Sequence, residues 1–503
     1  MSDTAGITTT PPLPSPGSSH DDHGTTGEGL TPRNKLVINL LLVSAFVVIL
    51  NETIMGVALP HLMRDLDIEA SAAQWLTTAF LLTMAVVIPI TGFLLQRFNT
   101  RPVFISAMSL FSLGTLIAAL APGFEVLLVG RIVQASGTAI MMPLLMTTAM
   151  TLVPPASRGR TMGNISIVIS VAPAIGPTIS GIILSFLDWR WMFILVLPIA
   201  LGALALGAAR VQNVTTPRKS QVDVLSVILS ALGFGGLIFG LSNLGESAGE
   251  GGIPAWVPLV VGALSLAIFV MRQFTLQRSD RALLDLRTFR SRTFTFSIVM
   301  LAISMAALFG TIILLPIYMQ TVLGLNALTT GLLLLPGGLV MGIMAPFVGR
   351  FFDRHGPRGL LLAGSIIVSV VFWSMTMLDE NSPFGFVLAA HIVLSMGLAL
   401  LFTPLFTSAL GSLEPSLYSH GSAIVGTIQQ LAGAAGTALF ITVMTSQIAT
   451  GVTQGVEEVA ATADGINTAF MYGAVISLFA IVAAFFIRRP APALDGAPLP
   501  MGH

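Results

Sequence analysis

Few residues in this chain could do chemistry, and the first is a carboxylate in an unusual place. The stretch VILNETIMGVALP, Val48 to Pro60, puts Glu52 inside an apolar run long enough to cross a bilayer. A carboxylate in hydrocarbon favours taking up a proton, and a neighbouring arginine favours the ionised form, so a balanced pair of this kind suits proton binding and release. Arg131, in RIVQASGT, is the candidate partner. On a helical wheel Ser44, Ala45, Asn51, Glu52, Met55 and Gly56 share one arc, opposite Val43, Phe46, Leu50, Ile54 and Val57. Arg131 shares its face with Gln134 and Thr138. Glu52 lies eight residues before Pro60, and Arg131 eight residues after Gly123, which places both roughly 12 Å below one surface. Two readings stay open: a proton-coupling or substrate site built from Glu52, Arg131, Asn51 and Gln134, or a static pair that ties two helices together. His391, alone in a later apolar run, is a candidate proton relay or an interior residue satisfied by its neighbours.

Other chemistries are excluded. With no cysteine there are no disulfides, thiolate metal sites or cysteine nucleophiles. The two lysines, Lys35 and Lys219, follow Asn and Arg, so no nucleotide-binding phosphate loop ends on them. No intramembrane Ser/His/Asp or metal cluster stands out, so neither an enzyme, a cofactor nor a metal is expected. Zero net charge gives no reason to expect nucleic acid as a partner.

The elements that must hold Glu52 and Arg131 are membrane helices. Of 503 residues 54% are hydrophobic and 9% charged, with a mean hydropathy of +0.89, a combination that marks a polytopic membrane protein. Apolar segments near 36–58, 72–95, 103–121, 125–150, 161–186, 190–210, 221–243, 253–273, 294–318, 328–350, 359–377, 384–408, 421–447 and 466–487 are each long enough to span the hydrocarbon core, giving an all-α fold of fourteen helices. Charge sets the orientation. Arg33, Lys35, Arg488 and Arg489 at the ends, and Arg97, Arg101, Arg158, Arg160, Arg210, Arg218, Lys219, the run Arg272 to Arg292, Arg350, Arg354 and Arg358 in alternate loops, fall on one side. Opposite loops hold Arg64 and Arg190 among acids such as Asp65, Asp67, Glu69, Glu246, Glu250, Asp379 and Glu380. Positive loops stay in the cytoplasm, so both termini are expected there. Residues 1–32, rich in Ser, Thr, Gly and Pro, read as a disordered cytoplasmic tail without a signal peptide.

The chain also repeats itself. GFLLQRFNTR, Gly92 to Arg101, follows the second helix, and GRFFDRHGPR, Gly349 to Arg358, follows the tenth, with Gly92, Arg97 and Arg101 matched by Gly349, Arg354 and Arg358. Any short cytoplasmic turn collects arginine and glycine, but two copies at equivalent places imply two related halves, as in secondary transporters with substrate bound between them.

Both segments resemble the loop motif Gly-x-Leu-x-Asp-Arg-x-Gly-Arg-Arg/Lys of the major facilitator superfamily. The second copy keeps Gly349, Asp353, Arg354, Gly356 and Arg358; the first has Gln96 for the acid and Asn99 for the glycine. Arg131 to Thr138 is similar to the family's fourth-helix motif. APAIGPTISG, Ala172 to Gly181, is similar to its fifth-helix antiporter motif, with Pro173, Gly176, Pro177 and Gly181 in place. DWRWMFILVLP and LNETIMGVALP match patterns of the fourteen-helix drug:proton antiporter branch, in which helices seven and eight are inserted between two six-helix halves. That branch carries its acid one position earlier, where this chain has Asn51.

The resemblance implies a six-helix half at 33–210, inserted helices and a cytoplasmic linker at 211–290, a second half at 291–489, and a tail at 490–503. It implies a multi-pass protein of the cytoplasmic (inner) membrane, a monomer whose partners are lipid, protons and a small-molecule substrate. Its function would be proton-coupled export of amphipathic or cationic toxic compounds. The turn residues and the fifth-helix Pro/Gly set would serve gating, with Gly176 and Gly181 expected at close helix contacts. The alternatives are transport of a physiological metabolite, lipid or amino acid, in either direction, or a non-transporting membrane sensor.

Overall fold

The computed structural model describes residues 31–213, 217, 222–244 and 254–487. Fourteen of its helices are long and apolar enough to cross a membrane. In chain order they are α1 (Pro32–Asp65), α2 (Ala70–Arg97), α3 (Thr100–Ala119), α4 (Phe124–Leu152), α5 (Arg158–Phe186), α6 (Trp191–Arg210), α7 (Val224–Ser242), α8 (Trp256–Leu276), α9 (Arg292–Ile317), α10 (Ala327–His355), α11 (Arg358–Met375), α12 (Phe384–Gly411), α13 (Tyr418–Thr453) and α14 (Glu458–Ala484). No strand occurs among the described residues.

Helix ends differ from the hydropathy reading where polar residues prolong a helix beyond hydrocarbon. Helix α14 begins at Glu458 rather than 466, because the polar stretch EVAATADG supplies its first two turns. Helix α1 begins at Pro32, inside the expected tail; Pro suits the first turn, and the Thr31 hydroxyl caps it by accepting from Asn34 N–H at 3.2 Å. The rest of that tail, residues 490–503, and Arg218, Lys219, Arg488, Arg489, Glu246 and Glu250 lie outside the described residues.

Helices α1–α6 pack on one another, as do α9–α14, and the two groups meet along α5/α10 and α2/α13. Helices α7 and α8 form a hairpin whose α7 packs on both α2 and α13. At its basic end Asp223 caps α7 and receives two bonds of 2.7 Å from the Arg272 guanidinium on α8. Those hydrogen bonds hold the Asp223 carboxyl well below the usual carboxylate range. Gln273 ties the following linker in place, donating to Ser226 and accepting from Leu283 N–H, both at 2.8 Å.

Hydrogen bonds between the two six-helix groups lie at the middle or toward the end that carries the basic loops. They are Gln96 to Ser416 O, Thr147 to Ser422, Thr403 to Ser166, Gln430 to Met84, and the Asp353 contacts with α5 described below. Those made by Gln96 and Asp353 tie the two groups together at the basic end, which is the sealed end of the bundle.

Candidate functional site

Helix α4 can carry an arginine into the membrane because its neighbours satisfy it. Gly130 on α4 and Gly114 on α3 have no room for a Cβ, which would run into the facing backbone, so the two helices approach closely. Arg131, 1% exposed, points into the resulting interior. Its Nη1 donates to Gln134 Oε1 at 2.6 Å, one helical turn along, and to Asn51 Oδ1 on α1 at 3.3 Å. Gln134 Nε2 donates to Thr115 Oγ1 on α3 at 2.8 Å. The guanidinium lies over the Phe80 ring of α2, 4.0 Å from its centroid, a cation–π contact that stabilises charge without neutralising it. Side chains of four helices thus join in one cluster. Arg131 Nε and Asn51 Nδ2 are buried without a hydrogen-bond partner, so the cluster is not saturated.

The direct Glu52–Arg131 pair expected from helix depth does not form: no ion pair within 4.0 Å joins them. Asn51 takes the direction toward α4, and one residue on, a helix has turned by roughly 100°. Glu52 is partly buried and makes no hydrogen bond among the described residues, although the two charges sense each other electrostatically. Its other neighbour, Thr53, faces α5: its hydroxyl donates to Leu50 O of its own helix at 3.0 Å and reaches Ala172 O of α5 at 3.5 Å. Gly176 leaves space for Thr53: a Cβ there would collide with its hydroxyl.

Gly181 does not share that role. Nothing lies within 4 Å of where its Cβ would stand, and the residue is exposed, so the close contact expected at this position is absent. Five residues separate the two glycines, which turns them roughly 140° apart. Helix α5 continues unbroken through Pro173 and Pro177.

The two repeat turns sit at the sealed end. Asp353 accepts from Gly159 N–H at 2.7 Å and Arg160 N–H at 2.9 Å, two of the first-turn amides of α5 that have no partner within the helix, so a carboxylate of α10 caps a helix of the other group. Gly349 and Gly159 pack without room for a Cβ on either. Gly356 ends α10 at φ 81°, a conformation that favours glycine. Arg354 is exposed, and Arg358 lies over the Phe485 ring at 5.6 Å, so the expected latch of Asp353, Arg354 and Arg358 closes on backbone amides through Asp353. In the first copy, Gly92 packs against Ala423 and His420, and Gln96 donates to Ser416 O at 3.1 Å. Arg97 lies near the Phe93 and Phe98 rings, and the Arg101 N–H donates to Asn213 at 3.2 Å.

His391 stands in α12, away from Arg131, with Nε2 3.1 Å from Leu334 O of α10. The sequence alone gave no sign of Phe80, Thr115, Thr147, Ser166 or Thr403, whose roles arise from packing between distant helices. Among the described residues no cluster of metal-ligating side chains occurs.

The sequence profile of the Major Facilitator Superfamily matches residues 41–437. The chain is 42% identical over 460 residues to the lincomycin resistance protein LmrB of Listeria monocytogenes, covering 90% of this chain and 96% of that one. It is 40% identical over 462 residues to LmrB of Bacillus subtilis, covering 90% and 95%. The crystal structure of the human organic anion transporter MFSD10 superposes with a TM-score of 0.64 at 13% identity, over 91% of this chain and 100% of that one, a likeness of fold.

Proposed function

Because the chain belongs to the major facilitator superfamily, we propose that it exports amphipathic or cationic drugs across the cytoplasmic membrane in exchange for protons. The observation that carries this reading is the buried, unneutralised Arg131 cluster with the unbonded carboxylate of Glu52 one residue from Asn51. An ionisable group at membrane depth with no structural partner is suited to change its protonation during a cycle. The names of the relatives, resistance to lincomycin, support a drug as substrate.

In the proposed cycle the sealed end is cytoplasmic and the conformation faces outward. Glu52 takes a proton from the external medium, the bundle rocks about its midplane, and the latches at Asp353 and Gln96 part. Drug entering from the cytoplasm then displaces the proton inward, and return of the drug-loaded form completes one exchange. Arg131 keeps the protonated carboxyl of Glu52 ready to ionise, while Asn51 and Gln134 hold the guanidinium in place.

The test is drug accumulation in cells with and without the chain, using a lincosamide and a lipophilic cationic dye. Export that lowers accumulation and stops when a protonophore collapses the gradient supports the reading. Accumulation that is the same with and without the chain refutes drug export, and export indifferent to the protonophore refutes proton coupling.

A further inference from the structure

The repeat relating α1–α6 to α9–α14 pairs α4 with α12, and the pairing can be carried to single residues. Arg131 is the eighth residue of α4 and His391 the eighth of α12; both helices begin with phenylalanine, Phe124 and Phe384. Six residues further on, Gly137 abuts Ala107 and Phe111 of α3, and Gly397 abuts Gly364 and Val368 of α11. His391 is therefore the counterpart of Arg131 in the second half.

Its ring is fitted against α10. A Cβ on Gly337 of α10 would collide with His391 Nε2 and the Ser395 hydroxyl, so that glycine makes room for the ring. A carbonyl only accepts, so the Nε2 proton is donated to Leu334 O, next to the turn of α10 that Pro336 interrupts. This fixes the neutral tautomer and leaves Nδ1 with the lone pair, buried and without a partner. The helices packed on α12 are α5, α9, α10, α11 and α13. Their charged or titratable groups are Arg158, Arg160, Arg292, Arg350, Asp353, Arg354, His355, Arg358, Tyr418 and His420, all at the basic end. Asp379 and Glu380 lie in the loop before α12, where the Tyr318 hydroxyl donates to Asp379 O. At its own depth His391 is the single titratable side chain of these helices among the described residues.

Building on the proton-coupled reading above, we infer that His391 Nδ1 carries a second coupling proton, in the half of the molecule whose α9–α12 interior holds no carboxylate. In the drug-free protein Nδ1 takes a proton from water and the imidazolium keeps its Nε2–H bond to Leu334 O. Drug binding returns that proton to solvent and restores the neutral ring. One proton then leaves Glu52 and one leaves His391 for each drug bound.

The experiment counts protons released per drug bound, with a pH indicator and purified protein in detergent, using a cationic drug that the wild type binds. His391→Gln keeps a donor near the Nε2 position but cannot titrate, so it separates titration from a structural role. The wild type is expected to release about twice as many protons as His391→Gln, with drug affinity retained, and Glu52→Gln is expected to leave the other half. Release per drug that is the same in wild type and His391→Gln overturns the inference while leaving coupling through Glu52 intact. A wild type that binds drug and releases no proton overturns both, and so marks failure of the proton-coupled reading itself.

Discussion

The two halves of this bundle distribute their charges in opposite ways. In the first, charge lies inside the membrane: Arg131, held by Asn51, Gln134 and the Phe80 ring, with Glu52 beside it, while the turn after α2 is closed by the neutral Gln96. In the second, the membrane interior of α9–α12 keeps His391 as its one titratable side chain among the described residues, and the turn after α10 is closed by the carboxylate of Asp353. A repeated fold thus need not repeat its chemistry. Burying a charge is costly and needs a dedicated network. A charge in a turn has water and a helix N-terminus to stabilise it. One half can carry the site and the other the latch.

The sharpest way to break this contrast is to remove the buried charge. Arg131→Met should abolish drug transport, with a fall well over tenfold, because hydrogen bonds to a charged group contribute about 1.5–3 kcal/mol each and two are lost. Abundance of the inserted protein should stay measurable, since Met refills the volume; near-normal transport in Arg131→Met would assign the cluster a purely structural role.

Next in size is the α1/α5 contact that flanks the site. Gly176→Leu forces a side chain into Thr53 and should eliminate most transport, whereas Gly181→Leu points into open space and should behave as wild type. Similar losses in both variants, measured at matched membrane abundance, would contradict the geometry of α5.

The latch comparison carries the smallest effect. Asp353→Asn weakens two charge-assisted bonds to α5 and should shift the equilibrium away from the state closed at the basic end by about 1–3 kcal/mol. Gln96→Ala removes one neutral bond and should shift it by no more than about 1 kcal/mol. Accessibility of a cysteine introduced at the sealed end, read by alkylation, checks the order; a larger shift from Gln96→Ala would reverse the assignment of the stronger latch.

How much of this was legible in the sequence follows from which interactions are local. All fourteen helices could be read, because hydrophobic length and the placement of arginine are written in consecutive residues. Arg131, Gln134 and Asn51 could be picked out as polar residues sharing faces of apolar helices. The choice between Asn51 and Glu52 as the partner of Arg131 could not, because it depends on the rotation of α1 by a single residue step. Phe80 and Thr115 were hidden for a similar reason: an apolar ring and a hydroxyl acquire their meaning only when α2 and α3 close on α4. The receptor of Asp353 was hidden because backbone amides carry no side-chain signal. Gly181 misled because a motif match preserves spacing along the chain, while contact depends on the face of the helix.

The central claim is that Glu52 couples export to the proton gradient, and gradient-driven drug transport in proteoliposomes tests it most directly. In Glu52→Gln, fixed in the neutral form, transport driven by an imposed pH difference should fall to the level of empty liposomes. Binding of an apolar drug, which needs no charge at this position, should persist. Transport by Glu52→Gln that still follows the pH difference at the wild-type rate would contradict the account.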